Sequence, residues 1–219
     1  MKYLFCIYTD IEYKKHLGYF KKQRFYEQIC DDPNIEVIEW GADFHTDYRD
    51  LPIKTQEMMK WCSENKEYDY LIKCDDTIFN DTWKFYRPRF TYENIFVKGR
   101  DGFSYTCDRW GDQSWSKVCE DNNDDYWGIN YIGPHSDEVW KIYFDGHYGK
   151  NKIDYNLNFI KTDIQWYEGK YFMVSRDLSI FIGEQEKFAK DMAKNMPGVE
   201  DLMIGYLSNE FKSISSISR

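Results

Sequence analysis

The sequence predicts an α/β fold with a mostly parallel central sheet flanked by helices. Three observations lead there. "KYLFCIYTD" near the N-terminus is a continuous apolar run stopped by Thr9-Asp10, the pattern of a strand covered on both faces. Two further strand-like runs, "IEVIEW" and "YLIKC", follow at 35–40 and 70–74, with helix-like segments between the three. Strand, helix, strand, helix, strand is the order of a right-handed α/β unit.

Taken in order, a polar helical segment from about 14 to 29 follows the first strand, and Gly41 ends the second. "LPIKTQEMMKWCSEN" places Leu51, Met58 and Cys62 on one helical face with Thr55 between them, and Pro52 in the first turn. Between 82 and 125 the periodicity weakens. The turn signals "RPR", "GRDG" and "WGDQ" and the acidic run "EDNNDD" predict an irregular or hairpin-rich surface insertion. "KYFMVSRDLSIFI" reads as a strand that turns at Ser175, a suitable N-cap, into a helix. A last helix is expected after Pro197-Gly198, turning Val199, Leu202, Met203 and Tyr206 inward. No internal repeat is visible. The chain reads as a single domain over 1–213. The Ser-rich end "FKSISSISR" makes 214–219 a frayed tail or the start of a linker to a longer chain.

A chain of 219 residues buries about 70% of its unfolded surface and needs no staples. Aromatics make up 19% of it, with 19 Tyr and 8 Trp, which fits either an aromatic core or a surface on which sugars or bases stack. The net charge is −9, with no basic tract beyond "KKQR" at 21–24. That excludes nucleic acid as a main partner, because such affinity rests on clustered Lys and Arg. A small phosphorylated ligand remains open if a metal screens it. Six cysteines are scattered without a CxxC, and Cys6 and Cys74 fall in apolar runs as buried thiols. This pattern points to a reducing, cytoplasmic compartment. The apolar run at the N-terminus is too short for a signal peptide or a membrane span.

The stretch "YDYLIKCDDTIFND" sets two aspartates side by side at the end of an apolar strand. Adjacent carboxylates repel, and their desolvation is costly unless something compensates. Asp75 and Asp76 are either a turn cluster that caps backbone N–H groups or a hard-cation site. Mg²⁺ or Mn²⁺ takes few oxygen ligands from protein and the rest from water and phosphate. In parallel sheets ligands bind at the carboxyl ends of strands, where both Thr9-Asp10 and Asp75-Asp76 fall.

The run from "DYRDLPIKTQ" to "CDDTIFND" resembles the beta-1,3-galactosyltransferase and fringe-type family of nucleotide-sugar transferases. In that family a "Tyr…Asn-Leu-x-x-Lys-Thr" helix start precedes an apolar strand and a "Lys-Thr-Asp-Asp-Asp" motif. The matching residues are Tyr48, Leu51, Lys54, Thr55, Trp61, Lys73, Asp75, Asp76 and Phe79. "DYWG" at 125–128 is similar to the strand after the acidic motif, and "YEGKYFMVSRDL" to the "G-x-x-Y-V-L-S" stretch. "VEDLMIGYL" is similar to "Glu-Asp-Val-x-x-Gly". The four matches occur in family order and span most of the chain outside the insertion. In size the chain is similar to compact members of the family, viral ones included.

The resemblance implies the GT-A fold and a metal-dependent glycosyltransferase, which moves a hexose-type sugar from a UDP-sugar donor to a hydroxyl of a glycan acceptor. Carried over by position, Asp75 and Asp76 hold the ribose and, through Mn²⁺ or Mg²⁺, the diphosphate. Thr9 and Asp10 border the nucleoside, and Lys54 lies near the donor. Asp201, with Glu200 beside it, matches the general base of inverting members. Thr77 replaces the third Asp of the acidic motif, which leaves open which of Asp75 and Asp76 meets the metal. The family's C-terminal histidine is missing. His147 and His135 are the nearest candidates and otherwise read as loop residues, His147 beside Lys150 being placed to meet a phosphate. Trp83, Tyr86, Phe90, Tyr105, Trp110 and Trp115 form either an acceptor platform or a satellite core. Two other classes compete: a non-catalytic carbohydrate-binding module of the same fold, favoured by Thr77, and a nucleotidyltransferase. The latter needs a Gly-rich basic loop, which "YTDIEYKKHLGY" with its single Gly does not supply.

Overall fold

Strand β1, Tyr3–Tyr8, lies inside a five-stranded sheet with β2 (Ile35–Trp40), β3 (Tyr70–Asp75), β4 (Tyr126–Gly128) and β7 (Tyr171–Ser175), in the order β2-β1-β3-β7-β4. Its neighbours β2 and β3 both run parallel to it. The computed structural model describes residues 1–79, 90–97, 125–128, 131–132, 135–149, 154–160, 164 and 166–217. The chain forms two compact units. The first comprises Met1–His45, Lys66–Asn130 and Glu168–Arg176; the second comprises Thr46–Asn65, Tyr131–Tyr167 and Asp177–Arg219.

The first unit holds the sheet. Leu4, Phe5, Cys6 and Ile7 are all essentially inaccessible, as are Leu71, Ile72 and Cys74. This is why both runs read as continuously apolar. The expected mostly parallel sheet is a mixed one. Strand β7 (Tyr171–Ser175) pairs antiparallel with β3 and with β4 (Tyr126–Gly128), so four strands share one direction and β7 opposes them. Edge strand β2 carries Glu36 and Glu39, each with a lysine 2.5 Å away, Lys66 and Lys21. Charges on an edge discourage pairing with another chain.

The single helix expected over 14–29 is two, α1 (Lys14–Phe20) and α2 (Arg24–Asp31). In one continuous helix Phe20 and Phe25 would point about 140° apart. The break lets both pack on Phe5, at ring distances of 6.4 and 5.6 Å. Phe79 and Phe90 extend this cluster, and Phe90 meets Tyr171 at 5.2 Å. Phe90, the one described member of the insertion's aromatic set, is thus a core residue, 2% exposed. Trp83, Tyr86, Tyr105, Trp110 and Trp115 lie outside the described residues, as do Cys107 and Cys119.

The second unit is mainly helical. Helix α3 spans Leu51–Asn65, as the sequence predicts, and contacts α6 (Glu186–Asn195) and α7 (Glu200–Ile217). Met58, Met59 and Cys62 are fully buried. A Cβ on Gly183, at the end of α5 (Arg176–Gly183), would stand 2.9 Å from the Lys60 backbone, so this crossing requires glycine. Helix α4 (Asp137–Tyr148) is N-capped by Ser136, and a two-residue pair joins β5 (Tyr131–Ile132) to β6 (Trp166–Tyr167). Helix α7 buries Leu202, Met203, Ile204 and Leu207 and leaves Tyr206 half-buried. It continues through Ile217, into the segment 214–219 that the sequence set apart as a tail. Among the described residues no helix is long and apolar enough to cross a membrane.

Candidate functional site

The order of β1, β2 and β3 reverses across β1, because β2 lies on one side of it and β3 on the other. In open α/β sheets that reversal opens a crevice at the carboxyl ends of the strands, where ligands bind. Parallel register sets Tyr8 opposite Asp75, so the next residues of both strands emerge at the same edge. Thr9 and Asp76 meet there. The Thr9 hydroxyl donates to Asp76 Oδ2 at 2.6 Å, and the Asp76 N–H donates to the Tyr8 carbonyl at 3.1 Å.

The neighbouring acids are treated differently. Asp75 is neutralised from within the chain: the fully buried Lys73 ammonium lies 2.6 Å from its Oδ1 and the Lys170 ammonium 3.3 Å from its Oδ2. Lys73 also donates to the Gly169 carbonyl and sits over the Tyr8 ring at 4.4 Å. Lys170 reaches Thr77 Oγ1 at 3.1 Å. Asp76 is 5% exposed, and burial pushes its carboxyl up to about 6. The Thr9 hydrogen bond and the charges of His16 and Lys170 oppose that rise, while Asp75 adds to it.

A second cluster stands at the ends of β1 and β2. The Thr9 N–H donates to the Trp40 carbonyl and the Ile11 N–H to the Phe44 carbonyl, which ties the two strand exits together. Asp10 caps the short 3₁₀ turn Ile11–Tyr13 by accepting from the Glu12 N–H at 3.0 Å. His45 Nδ1 lies 3.0 Å from Asp10 Oδ1 and 3.7 Å from Glu12 Oε2. Donor atoms of Asp10, Glu12 and His45 fall within 4.8 Å of one another, close enough to hold a metal ion. Two carboxylates and an imidazole suit a first-row divalent ion such as Mn²⁺. Asp75, with an ammonium on each oxygen, fits that task less well.

The remaining predicted residues belong to the second unit. Lys54 is 3% exposed in α3, and Glu200 and Asp201 form the first turn of α7. Glu200 is buried; Asp201 is half-buried and accepts from the Leu202 N–H at 2.9 Å. Acids are favoured there by the helix dipole. Tyr48 and Tyr143 share a 2.9 Å hydrogen bond, and burial, with the charges of Glu200 and Asp201, raises the proton affinity of both phenols. His147 is helical rather than in a loop. Its Nδ1 lies 3.0 Å from the Tyr143 carbonyl, and its ring stacks on Tyr48. Lys150 lies outside the described residues. His135 packs edge-on against Trp140 and Trp166, and burial lowers its proton affinity.

The structure thus gathers Thr9, Asp10, Asp75 and Asp76 at one edge of the first unit, while Lys54, Glu200 and Asp201 sit in the second. Sequence reasoning missed Glu12, His45 and Lys170. Glu12 carried a signal, the Asp-x-Glu spacing after the first strand; His45 and Lys170 approach the site only through tertiary structure. No family model matches the chain, and no curated protein does.

Proposed function

We propose that the chain is a glycosyltransferase of the GT-A fold that uses a divalent cation, Mn²⁺ or Mg²⁺, to move a sugar from a UDP-sugar to a hydroxyl of a glycan acceptor. The observation that carries this reading is the Thr9–Asp76 hydrogen bond, which joins the carboxyl ends of β1 and β3 at the point where strand order reverses. The four motif matches in family order support it.

The chemistry accounts for these residue types. Cleaving a sugar–phosphate bond leaves a diphosphate, and a bound divalent cation stabilises its growing charge as a Lewis acid. Thr9, Asp10 and Asp76 line the edge where a nucleoside would dock, and the Lys170 ammonium offers a further positive charge beside them. The acceptor hydroxyl must lose a proton as it attacks, and Asp201 takes it, a contribution of about 10²–10⁴-fold.

A thermal-shift panel of UDP-, GDP- and TDP-sugars with and without Mn²⁺ tests the proposal, because a ligand that binds the native state raises its melting temperature. UDP-sugars with Mn²⁺ should give the largest shift. No shift with any nucleotide removes the proposal. The Lys170–Thr77 contact, at the position of the family's third Asp, favours a second reading, a carbohydrate-binding module without activity. Slow UDP-sugar hydrolysis with Mn²⁺, abolished in Asp76→Ala, speaks for the enzyme; glycan binding without nucleotide affinity speaks for the module.

A further inference from the structure

We infer that Asp10, Glu12 and His45 form a divalent-cation site of Mn²⁺ type, separate from the Asp75-Asp76 pair that the sequence favoured. Its role toward a diphosphate rests on the glycosyltransferase reading; the site itself does not.

Donor spacing is the first argument. Ligands about 2.1 Å from an ion stand about 3.0 Å apart across an octahedral edge and about 3.4 Å across a tetrahedral one. The His45 nitrogen lies 3.0 Å from the Asp10 oxygen and 3.7 Å from the Glu12 oxygen, and every pair of the three lies within 4.8 Å, so side-chain rotations of the exposed His45 and Glu12 would bring all three onto one ion. Exposure is the second. The Asp10 side chain is 11% exposed and fixed as a cap, whereas His45 and Glu12 are 49% and 59% exposed. One anchored ligand and two open ones leave coordination positions for water or phosphate oxygens, as hard divalent ions require.

Electrostatics is the third. The cluster offers two carboxylates and one imidazole, with Lys14 and Lys15 on the following helix rather than in the ligand set. At Asp75 the opposite holds, since a dication there would face the Lys73 and Lys170 ammoniums that already contact both oxygens. The imidazole shifts preference from Mg²⁺ and Ca²⁺ toward first-row transition ions, and the two carboxylates keep Mn²⁺ among them.

The test is Mn²⁺ binding to the full chain without nucleotide, read by electron paramagnetic resonance. Loss of the free-ion signal gives affinity and stoichiometry, and electron spin-echo modulation reports a ligating nitrogen. One Mn²⁺ per chain with a nitrogen coupling is expected. His45→Ala, with His45→Gln as a second variant at this exposed position, should remove the coupling and weaken binding by about ten-fold or more. Asp75→Asn should leave both intact. Absence of stoichiometric binding, binding without nitrogen coupling, or binding lost in Asp75→Asn but kept in His45→Ala would each overturn the site. A chain that binds Mn²⁺ through His45 but no UDP-sugar keeps this site and removes the transferase reading. A chain that binds UDP-sugars with no Mn²⁺ at His45 does the reverse.

Discussion

Asp76→Asn should stabilise the protein at neutral pH. The Asp76 carboxyl is pushed up from 3.8 to about 6, mainly by burial. It holds its proton more tightly in the folded chain than in the unfolded one. Between pH 3.8 and about 6 the folded state therefore carries more protons, and stability falls as pH rises through that window and stays low above it. Two units at 1.36 kcal/mol each give a penalty of about 3 kcal/mol at pH 7.5, against about 0.5 kcal/mol at pH 4. Asparagine is nearly isosteric, carries no charge, and still accepts from the Thr9 hydroxyl. Part of the gain goes to solvating its amide, so a rise of about 1–3 kcal/mol remains at pH 7.5, or at least about 3 °C in Tm for a chain of this size. Denaturant melts of both proteins at pH 4 and pH 7.5 measure it. An equal effect at the two pH values, or a net loss at pH 7.5, would show that Asp76 is not a desolvated anion and would refute the reasoning.

Lys73→Met should destabilise by about 3–5 kcal/mol, because it strands part of the Asp75 charge and the Gly169 carbonyl. The double variant Lys73→Met/Asp75→Leu should recover most of that loss in the same denaturant melt. Gly198→Ala should cost about 2–4 kcal/mol: its φ is +76°, and a Cβ would lie 2.6 Å from both Tyr148 Oη and Tyr48 Cε1. A lower denaturant midpoint at unchanged slope would record it. On the proposed transferase reading, Asp201→Asn should slow glycosyl transfer by about 10²-fold or more while UDP affinity stays within about two-fold; transfer at the parental rate would place the base elsewhere.

Regular elements were legible wherever one physical signal ruled. The strand runs of β1 to β3 and helix α3 fall where apolar runs and helical spacing place them, since each follows from burial alone. The break between α1 and α2 was not legible, because it serves Phe20 and Phe25 jointly against Phe5, a contact with no sequence period. The direction of β7 was hidden for a similar reason. An apolar strand buried on both faces looks the same in either direction, and only the segment before it decides. At the site, Thr9, Asp10, Asp75 and Asp76 announced themselves as polar residues ending apolar strands. His45 lies 35 residues from Asp10 and is delivered by the parallel pairing of β1 and β2. Lys170 lies 95 positions from Asp75 and is delivered by β7, so no local pattern could have offered it.

The two adjacent aspartates illustrate how one repulsion is resolved in two ways. Asp75 is offset by buried and half-buried ammoniums, a solution that could be traded for apolar packing of similar volume with little loss of stability. Asp76 is given one hydroxyl, and the charges of His16 and Lys170 act on it without outweighing its burial, so at neutral pH it is a buried anion above its own pKa. A fold under selection for stability alone would replace it with asparagine, which keeps the Thr9 hydrogen bond and sheds the charge. Local physics is violated at the reversal of strand order, the position at which open α/β sheets bind their ligands. The coincidence of that costly anion with that position is the strongest physical ground for placing function there.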